Sequence, residues 1–392
     1  MIEIKDKSLC CGCRACENIC PQKCIKIYED EYGFMFPKVD EKNCISCNLC
    51  NNVCPILNNQ LEEIKEAYVV YSKTNNRQIG SSGGLFPEFA EYILKEKGIV
   101  YGAGFDNSLK LKCQSIDNFK DIEKLSKSKY LQSDMEENYK KIEKELRVGE
   151  KVLFVSTPCY CQALKNYLRK DYENLFIIDF VCHGVPNQKL FDDNLKWYLN
   201  KNIKVKKYDF RENDHKINCS RVFKIESESK IIKDIFLNDP YYYYYYCTNF
   251  ISLRESCYNC PFAQEKRCTD ITIGDFHSVK VLDKEKERLK GFSSILINSD
   301  KGKKLFEEIS ENLEIINLDK EKIIKANAAL NKPTDKPKKI EEFRKDYVSL
   351  SYEELMKKYG FYSFKTRIKR IYYSSPKFIQ NVVRKILIKG EI

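Results

Sequence analysis

From Ala67 onward, short apolar runs alternate with stretches of helical period. Residues 68–72, 98–105, 151–155, 175–181 and 270–274 read as strands, because apolar and β-branched residues cluster there between turn signals. Leu85–Lys97 reads as a helix, and a second helix follows Cys159. Strand–turn–helix alternation of this kind predicts an α/β domain with a largely parallel sheet, whose ligand loops lie at the carboxyl ends of the strands. Arg221–Ile225 and Ser229–Phe236 add a hairpin-like, β-rich portion, and the six tyrosines Tyr241–Tyr246 read as packed wall. Upstream, residues 25–39 read as a hairpin turning at Glu31–Gly33. Downstream, residues 352–358, 361–373 and 377–388 read as short helices broken at Gly360 and Pro376.

Charge changes the picture at one end only. The chain carries a net +11, and residues 357–392 hold ten Lys or Arg against one acid. The remainder is close to neutral, which excludes a general nucleic-acid-binding surface. In 377–388, Phe378, Val382, Val383, Ile386 and Leu387 form one apolar face beside Lys377, Arg384 and Lys385. A basic amphipathic segment of that type either lies peripherally on an anionic membrane or packs on its own domain or an acidic partner. The start of the chain has no apolar stretch resembling a leader, and no run is long enough to span a bilayer, so a cytoplasmic location is expected.

Cysteine changes the picture most. Of 19 cysteines, ten lie in the first 54 residues. Cys10-x2-Cys13-x2-Cys16-x3-Cys20-Pro21 is followed by Cys44-x2-Cys47-x2-Cys50-x3-Cys54-Pro55. This doubled spacing is the two-cluster bacterial ferredoxin pattern, in which the fourth cysteine of each run ligates the other cluster. Cys10, Cys13, Cys16 and Cys54 are thus expected around one [4Fe-4S] cluster, and Cys44, Cys47, Cys50 and Cys20 around a second. Zinc, which also uses Cys-x2-Cys pairs, is the weaker alternative for two complete runs. Cys11 and Cys24 fall outside the spacing and read as spare small hydrophobes.

Further along, Cys257-x2-Cys260-Pro261, Cys268, and two strand-end cysteines, Cys159 and Cys182, give five thiols that can converge. Cys159, Cys182, Cys257 and Cys260, with Cys268 in reserve, are the candidates for a third cluster; zinc and unliganded thiols remain alternatives. Ser81-Ser82-Gly83-Gly84 opens the 85–97 helix and fits either a pyrophosphate cradle or a plain tight turn. No GxGxxG or GxxxxGK[ST] fingerprint is present. His183, beside Cys182, reads equally as a flavin contact or proton relay and as a structural histidine.

These segments together resemble the beta subunit of coenzyme F-420 hydrogenases and dehydrogenases over roughly residues 1–335. SSGGLF at 81–86, VYGAGFD at 100–106, SKYLQSD at 128–134 and TPC at 157–159 follow the paired cysteine runs. FVCHGVP at 180–186, SCYNCPFA at 256–263 and DITIGDF at 270–276 complete the series. The resemblance implies FAD in the main domain, a further [4Fe-4S] cluster there, and electron exchange with the deazaflavin coenzyme F-420. Ser82, Gly83, Gly84 and Lys129 are then the flavin-site candidates, with Lys129 neutralising phosphate or reduced flavin. The expected fold is an α+β ferredoxin-like N-terminal module (1–57), an α/β domain with a largely parallel sheet and an added β-rich portion (67–345), and a basic helical tail (346–392). The expected function is an iron–sulfur flavoprotein oxidoreductase working with a redox protein partner or enzyme complex. The alternative is a flavin-free electron relay or an adaptor in surface-polysaccharide synthesis.

Overall fold

The computed structural model describes residues 2, 6–212, 222–241, 250–276, 291–375, 379–380 and 382. The chain divides into two compact units: residues 1–126, 131–188 and 253–335 form the first, and residues 127–130, 189–252 and 336–392 the second.

In the first unit, β1 (Ile25–Glu29) and β2 (Met35–Val39) form the expected antiparallel hairpin, with Tyr28 opposite Phe36. Asp30 closes its turn by accepting from the amides of Tyr32 and Phe34. The two cysteine runs are an internal repeat in the backbone as well as in the sequence. Asp6 and Asp40 each cap a 3-10 turn ahead of the first cysteine of a run. Arg14 and Asn48, at matching positions, both turn left-handed (φ 64° and 62°) to start the helices Ala15–Ile19 and Leu49–Asn52.

The body of this unit is one eight-stranded sheet. Its strands are β3 (Glu66–Ser72), β4 (Ile99–Phe105), β5 (Leu111–Ile116), β6 (Val152–Ser156) and β7 (Leu175–Phe180). After β8 (Val205–Glu212), β9 (Val222–Ser227) and β10 (Ile231–Ile235), which belong to the second unit, come β11 (Ile271–Asp275), β12 (Ser293–Ile297) and β13 (Leu313–Ile316). The order is β13-β3-β12-β11-β7-β6-β4-β5. Only the central run β11-β7-β6-β4 is parallel; β5, β12, β3 and β13 pair antiparallel. The sheet is therefore mixed, not largely parallel. The difference lies at the flanks: β5 returns directly on β4 through a short turn and so joins antiparallel, and β12, β3 and β13 add three antiparallel strands on the other side.

Val152, Leu153 and Phe154 of β6 are fully buried because the sheet is covered on both faces. Tyr139, Ile142 and Leu146 of the helix Asn138–Arg147, with Leu164 of the helix Pro158–Leu168, pack in one core cluster. Cys11, Cys13, Ala15 and Val53 pack into that same cluster, which seats the N-terminal module on the sheet body. A second cluster is built on Leu85, Phe89 and Ile93 of the helix Leu85–Lys95.

In the second unit, β8, β9 and β10 form an antiparallel sheet whose β9–β10 hairpin lies where the sequence placed it. Tyr208, Phe210, Phe191 and Tyr241 make an edge-to-face aromatic core. Tyr241 is thus packed wall, and Tyr242–Tyr246 lie outside the described residues. The helix Tyr352–Lys358 starts on a Ser351–Glu354 capping box. The next helix, Phe364–Ser374, begins later than expected because Ser363 caps it and Phe361 is buried. Most of 377–388 lies outside the described residues, as do Cys219 and Cys247. No helix among the described residues is long and apolar enough to cross a membrane.

Candidate metal centres

The doubled cysteine run folds into two thiol groups. Cys16 is buried, and its ionisation is pushed up by that burial and then by neighbouring Cys10 and Cys54. Cys13 accepts a hydrogen bond from Cys11, which lowers its pKa, yet burial and the neighbours Cys16 and Cys54 carry it up overall. Cys54 is raised by burial, with Cys10 among its neighbours. Cys10, Cys13, Cys16 and Cys54 thus influence one another, and Cys50 of the second run acts on Cys16 and Cys54 as well. Cys20, Cys44, Cys47 and Cys50 line a mostly apolar cleft with Ile25 and Val39, about 350 Å3 measured to its open mouth.

The first group's loop is held by the sheet body through its carbonyls. The Arg254 guanidinium donates to Cys10 O at 2.5 Å, and Gln132 Nε2 to Cys11 O at 3.1 Å. Tyr160 Oη donates to Gly12 O, and Tyr139 Oη to Cys13 O, both at 3.1 Å. Arg14 makes a two-pronged bond to Asp134 just beyond the loop. Gly12 has φ +70°, and a Cβ there would lie 2.4 Å from Gln132 Nε2 and 2.8 Å from Arg254 Nη1. Only glycine fits.

The sheet body gathers the third set. Cys182 is raised well above a normal thiol by burial and then by Cys257, Cys159 and Cys260. Cys257 is pushed up to about 12 by burial and then Cys260, and Cys260 to about 11 by burial and then Cys159. The reserve candidate Cys268 packs in the same core cluster as Cys159 and Cys260, but its first charged neighbours are Asp179, Arg267 and Lys165, and its thiol donates to Pro158 O.

Such donor sets fit an iron–sulfur cube. Buried thiols that raise one another cannot all ionise together unless cations are shared among them, and iron supplies those charges to soft sulfur. Among the described residues no group of three or more His, Cys, Asp or Glu side chains is placed to hold a single metal ion. The two cysteines outside the spacing are buried, as expected of small hydrophobes. Cys11 is also a neighbour of both Cys13 and Cys159 and shifts the ionisation of each, so it lies between the first and third sets. Cys24 Sγ lies 3.4 Å from Cys20 Sγ. Their spacing gave no sign of this, because Cys13 and Cys20 belong to the cluster runs themselves and Cys159 comes from the distant helix Pro158–Leu168.

The proposed flavin residues are spread over both units. Ser82 Oγ donates to Phe292 O, and the Gly83 amide donates to Ser293 Oγ. Gly84 has φ +85°, and a Cβ there would lie 2.7 Å from Arg77 Cα. Close backbone packing thus accounts for both glycines, and the Gly83 amide is committed within the protein. His183 is half-buried, with its carbonyl accepting from Thr334 Oγ1 at 2.6 Å. Lys129 belongs to the second unit. Its ammonium sits among protein atoms, and that burial pushes its pKa down to about 7 despite nearby Asp209.

Residues 149–321 match the family model for the C-terminal part of the coenzyme F420 hydrogenase/dehydrogenase beta subunit. Residues 9–57 match a 4Fe-4S dicluster domain. The two matched regions support an iron–sulfur oxidoreductase function of the F420 hydrogenase beta-subunit type, with a dicluster region ahead of the region similar to the beta subunit's C-terminal part. Cys159, Cys182, Cys257 and Cys260 all lie inside the span matched by the beta-subunit model. No curated protein sequence matches the chain. One similar solved structure is titled a xenon derivatization of the F420-reducing [NiFe] hydrogenase complex from Methanosarcina barkeri. It is 14% identical, covers 79% of this chain and 96% of its own, and has a TM-score of 0.42. A likeness that loose carries no functional weight.

Proposed function

We propose that this beta-subunit relative conducts single electrons through three [4Fe-4S] clusters, exchanging them with a flavin in the main domain and with a redox protein partner. The supporting observation is the sulfur continuity from Cys13 through Cys11 to Cys159, and from there to Cys182, Cys257 and Cys260. Cys10, Cys13, Cys16 and Cys54 would hold the first cluster, Cys44, Cys47, Cys50 and Cys20 the second, and Cys159, Cys182, Cys257 and Cys260 the third. These clusters supply one-electron chemistry. The chain's own contribution is to bury the ligands, turn the loop carbonyls 10–13 toward fixed donors and keep two thiol sets in register.

FAD, with coenzyme F-420 as the hydride-level donor, is the finer part of the proposal. Flavin converts two-electron to one-electron chemistry. The committed amide of Gly83 counts against the 81–84 turn as a phosphate cradle and in favour of the flavin-free relay, so flavin counting on anaerobically purified protein decides between them. Lys129 gives a sharper test. A lysine with a pKa of about 7 is cationic below that pH and loses its charge above it. An anionic ligand held by Lys129 therefore takes up a proton on binding above pH 7. Its affinity should fall by up to about tenfold per pH unit above 7, until the pKa of the complex is passed. Fluorescence titration of flavin-depleted protein with FAD from pH 6 to 9 should show this slope, and Lys129→Met should flatten it. A flat profile in the unaltered protein removes Lys129 from the site.

The tail is proposed to contact anionic lipid. On the helix Phe364–Ser374, Phe364, Ile368 and Ile371 are 78%, 51% and 71% exposed on one stripe, with Lys365 and Arg367 exposed beside it. Sedimentation with phosphatidylserine-containing vesicles at low salt should carry the protein down, and deletion of 361–392 or high salt should release it. No binding at low salt refutes the contact.

A further inference from the structure

Arg254 is fully buried, yet among the described residues no carboxylate pairs with it. Its guanidinium donates to Cys10 O at 2.5 Å, Gln132 Oε1 at 3.1 Å and Met35 O at 2.7 Å. Its planar face lies 4.3 Å from the centre of the Phe36 ring. Every one of these partners is neutral. A buried cation satisfied only by dipoles is costly, and proteins ordinarily oppose it with an anion or a metal-site charge.

Two thiol sets flank it. Its side chain reaches into the loop of the first, where Nη1 would lie 2.8 Å from a Cβ on Gly12. Its backbone opens the turn of the third: the Cys257 amide donates to Arg254 O at 2.9 Å. Arg254 thus stands between the dicluster domain and the Cys257–Cys260 turn, with hydrogen bonds into both.

We propose that Arg254 is the shared counter-cation of the two clusters it separates, and that it holds both at higher reduction potential. The inference rests on the cluster reading above. Each cluster accepts one electron and becomes more negative by one charge. A fixed cation in a low-dielectric interior stabilises that reduced form more than the oxidised one. Arg254 is a positioning and charge-setting residue here, not a cluster ligand. Its fork bonds also fix the loop, so charge and geometry need to be separated experimentally.

The test is a dithionite redox titration of anaerobically purified, full-length protein, followed by low-temperature EPR, with iron counted in parallel. In Arg254→Gln, which keeps a neutral donor, iron should stay at the wild-type count. The reduced-to-oxidised ratio of two of the three clusters should fall about tenfold at fixed poise, a shift of about 59 mV downward. Arg254→Lys, which keeps the charge, should hold both ratios within about twofold of wild type. Full iron with unmoved potentials in Arg254→Gln overturns the proposal. If that variant does not accumulate, Arg254→Lys decides: unshifted potentials support the charge role, and a tenfold fall despite the retained charge overturns it. Wild-type protein with only about eight irons would overturn the three-cluster reading itself, an outcome the iron count separates from the others.

Discussion

Anaerobically purified protein is expected to carry about twelve iron atoms per chain, and Cys257→Ser about eight. Four half-buried thiols from three separate segments neighbour one another in the sheet body, Cys159 after β6, Cys182 after β7, and Cys257 and Cys260 in one turn. Serine is a poor donor to iron that prefers soft sulfur, so one substitution should empty that centre and spare the dicluster domain. Cys182→Ser should act the same way. Cys268→Ser should not, because that thiol donates to Pro158 O and meets Asp179 and Arg267 before Cys159. Iron and sulfide analysis with EPR spin counting checks all three. Retention of about twelve irons in Cys257→Ser, or zinc in place of four of them, defeats the assignment.

The second large effect lies beneath that centre. Arg267 and Asp179 form a buried ion pair with 2% and 0% side-chain exposure. Asp179 sits on β7, while Arg267 also donates to Thr272 Oγ1 and Phe262 O and so ties β11 to the turn after Cys260. Burial pushes the Asp179 carboxyl up, and Arg267 opposes that. Removing one partner leaves an uncompensated charge in the core. Arg267→Ala should therefore cost about 3–5 kcal/mol of unfolding free energy, a large fraction of what a domain has. The double change Asp179→Leu with Arg267→Met should recover much of it, because neither charge remains to be desolvated. Anaerobic urea unfolding followed by circular dichroism reads both. An Arg267→Ala loss below about 1 kcal/mol would mean that the pair is solvated in solution.

What was legible in the sequence was local or repeated. The paired cysteine runs were visible because ligand spacing is short-range, and the β1–β2 hairpin because its turn carries Asp30 and Gly33 between alternating strands. The parallel strands β4, β6, β7 and β11 announced themselves as apolar runs between turn signals. Among the antiparallel strands of the large sheet, β5, β12 and β13 did not. β12 is only Ser-Ser-Ile-Leu-Ile, and β5 alternates weakly, so their pairing is decided by neighbours distant in the chain. The third thiol set was proposed from strand-end position, but its link through Cys11 was invisible, since hydrogen bonds between residues so far apart in the chain leave no spacing to read. Gly83 and Gly84 show the opposite failure. A small-residue turn before a helix is the shape of a phosphate loop, yet here it lets backbones approach within contact.

The carbonyls of residues 10–13 are all taken by side chains of the sheet body, from Arg254, Gln132, Tyr160 and Tyr139. Those donors exist only once β4, β6 and the helices beside them are packed. A cluster held by Cys10, Cys13, Cys16 and Cys54 would therefore be coupled to the folding of the body, each stabilising the other. Under iron starvation the loss would not stop at a small detachable carrier. The body's own packing would loosen with it, exposing the chain to proteolysis and making the amount of protein in the cell follow the supply of iron.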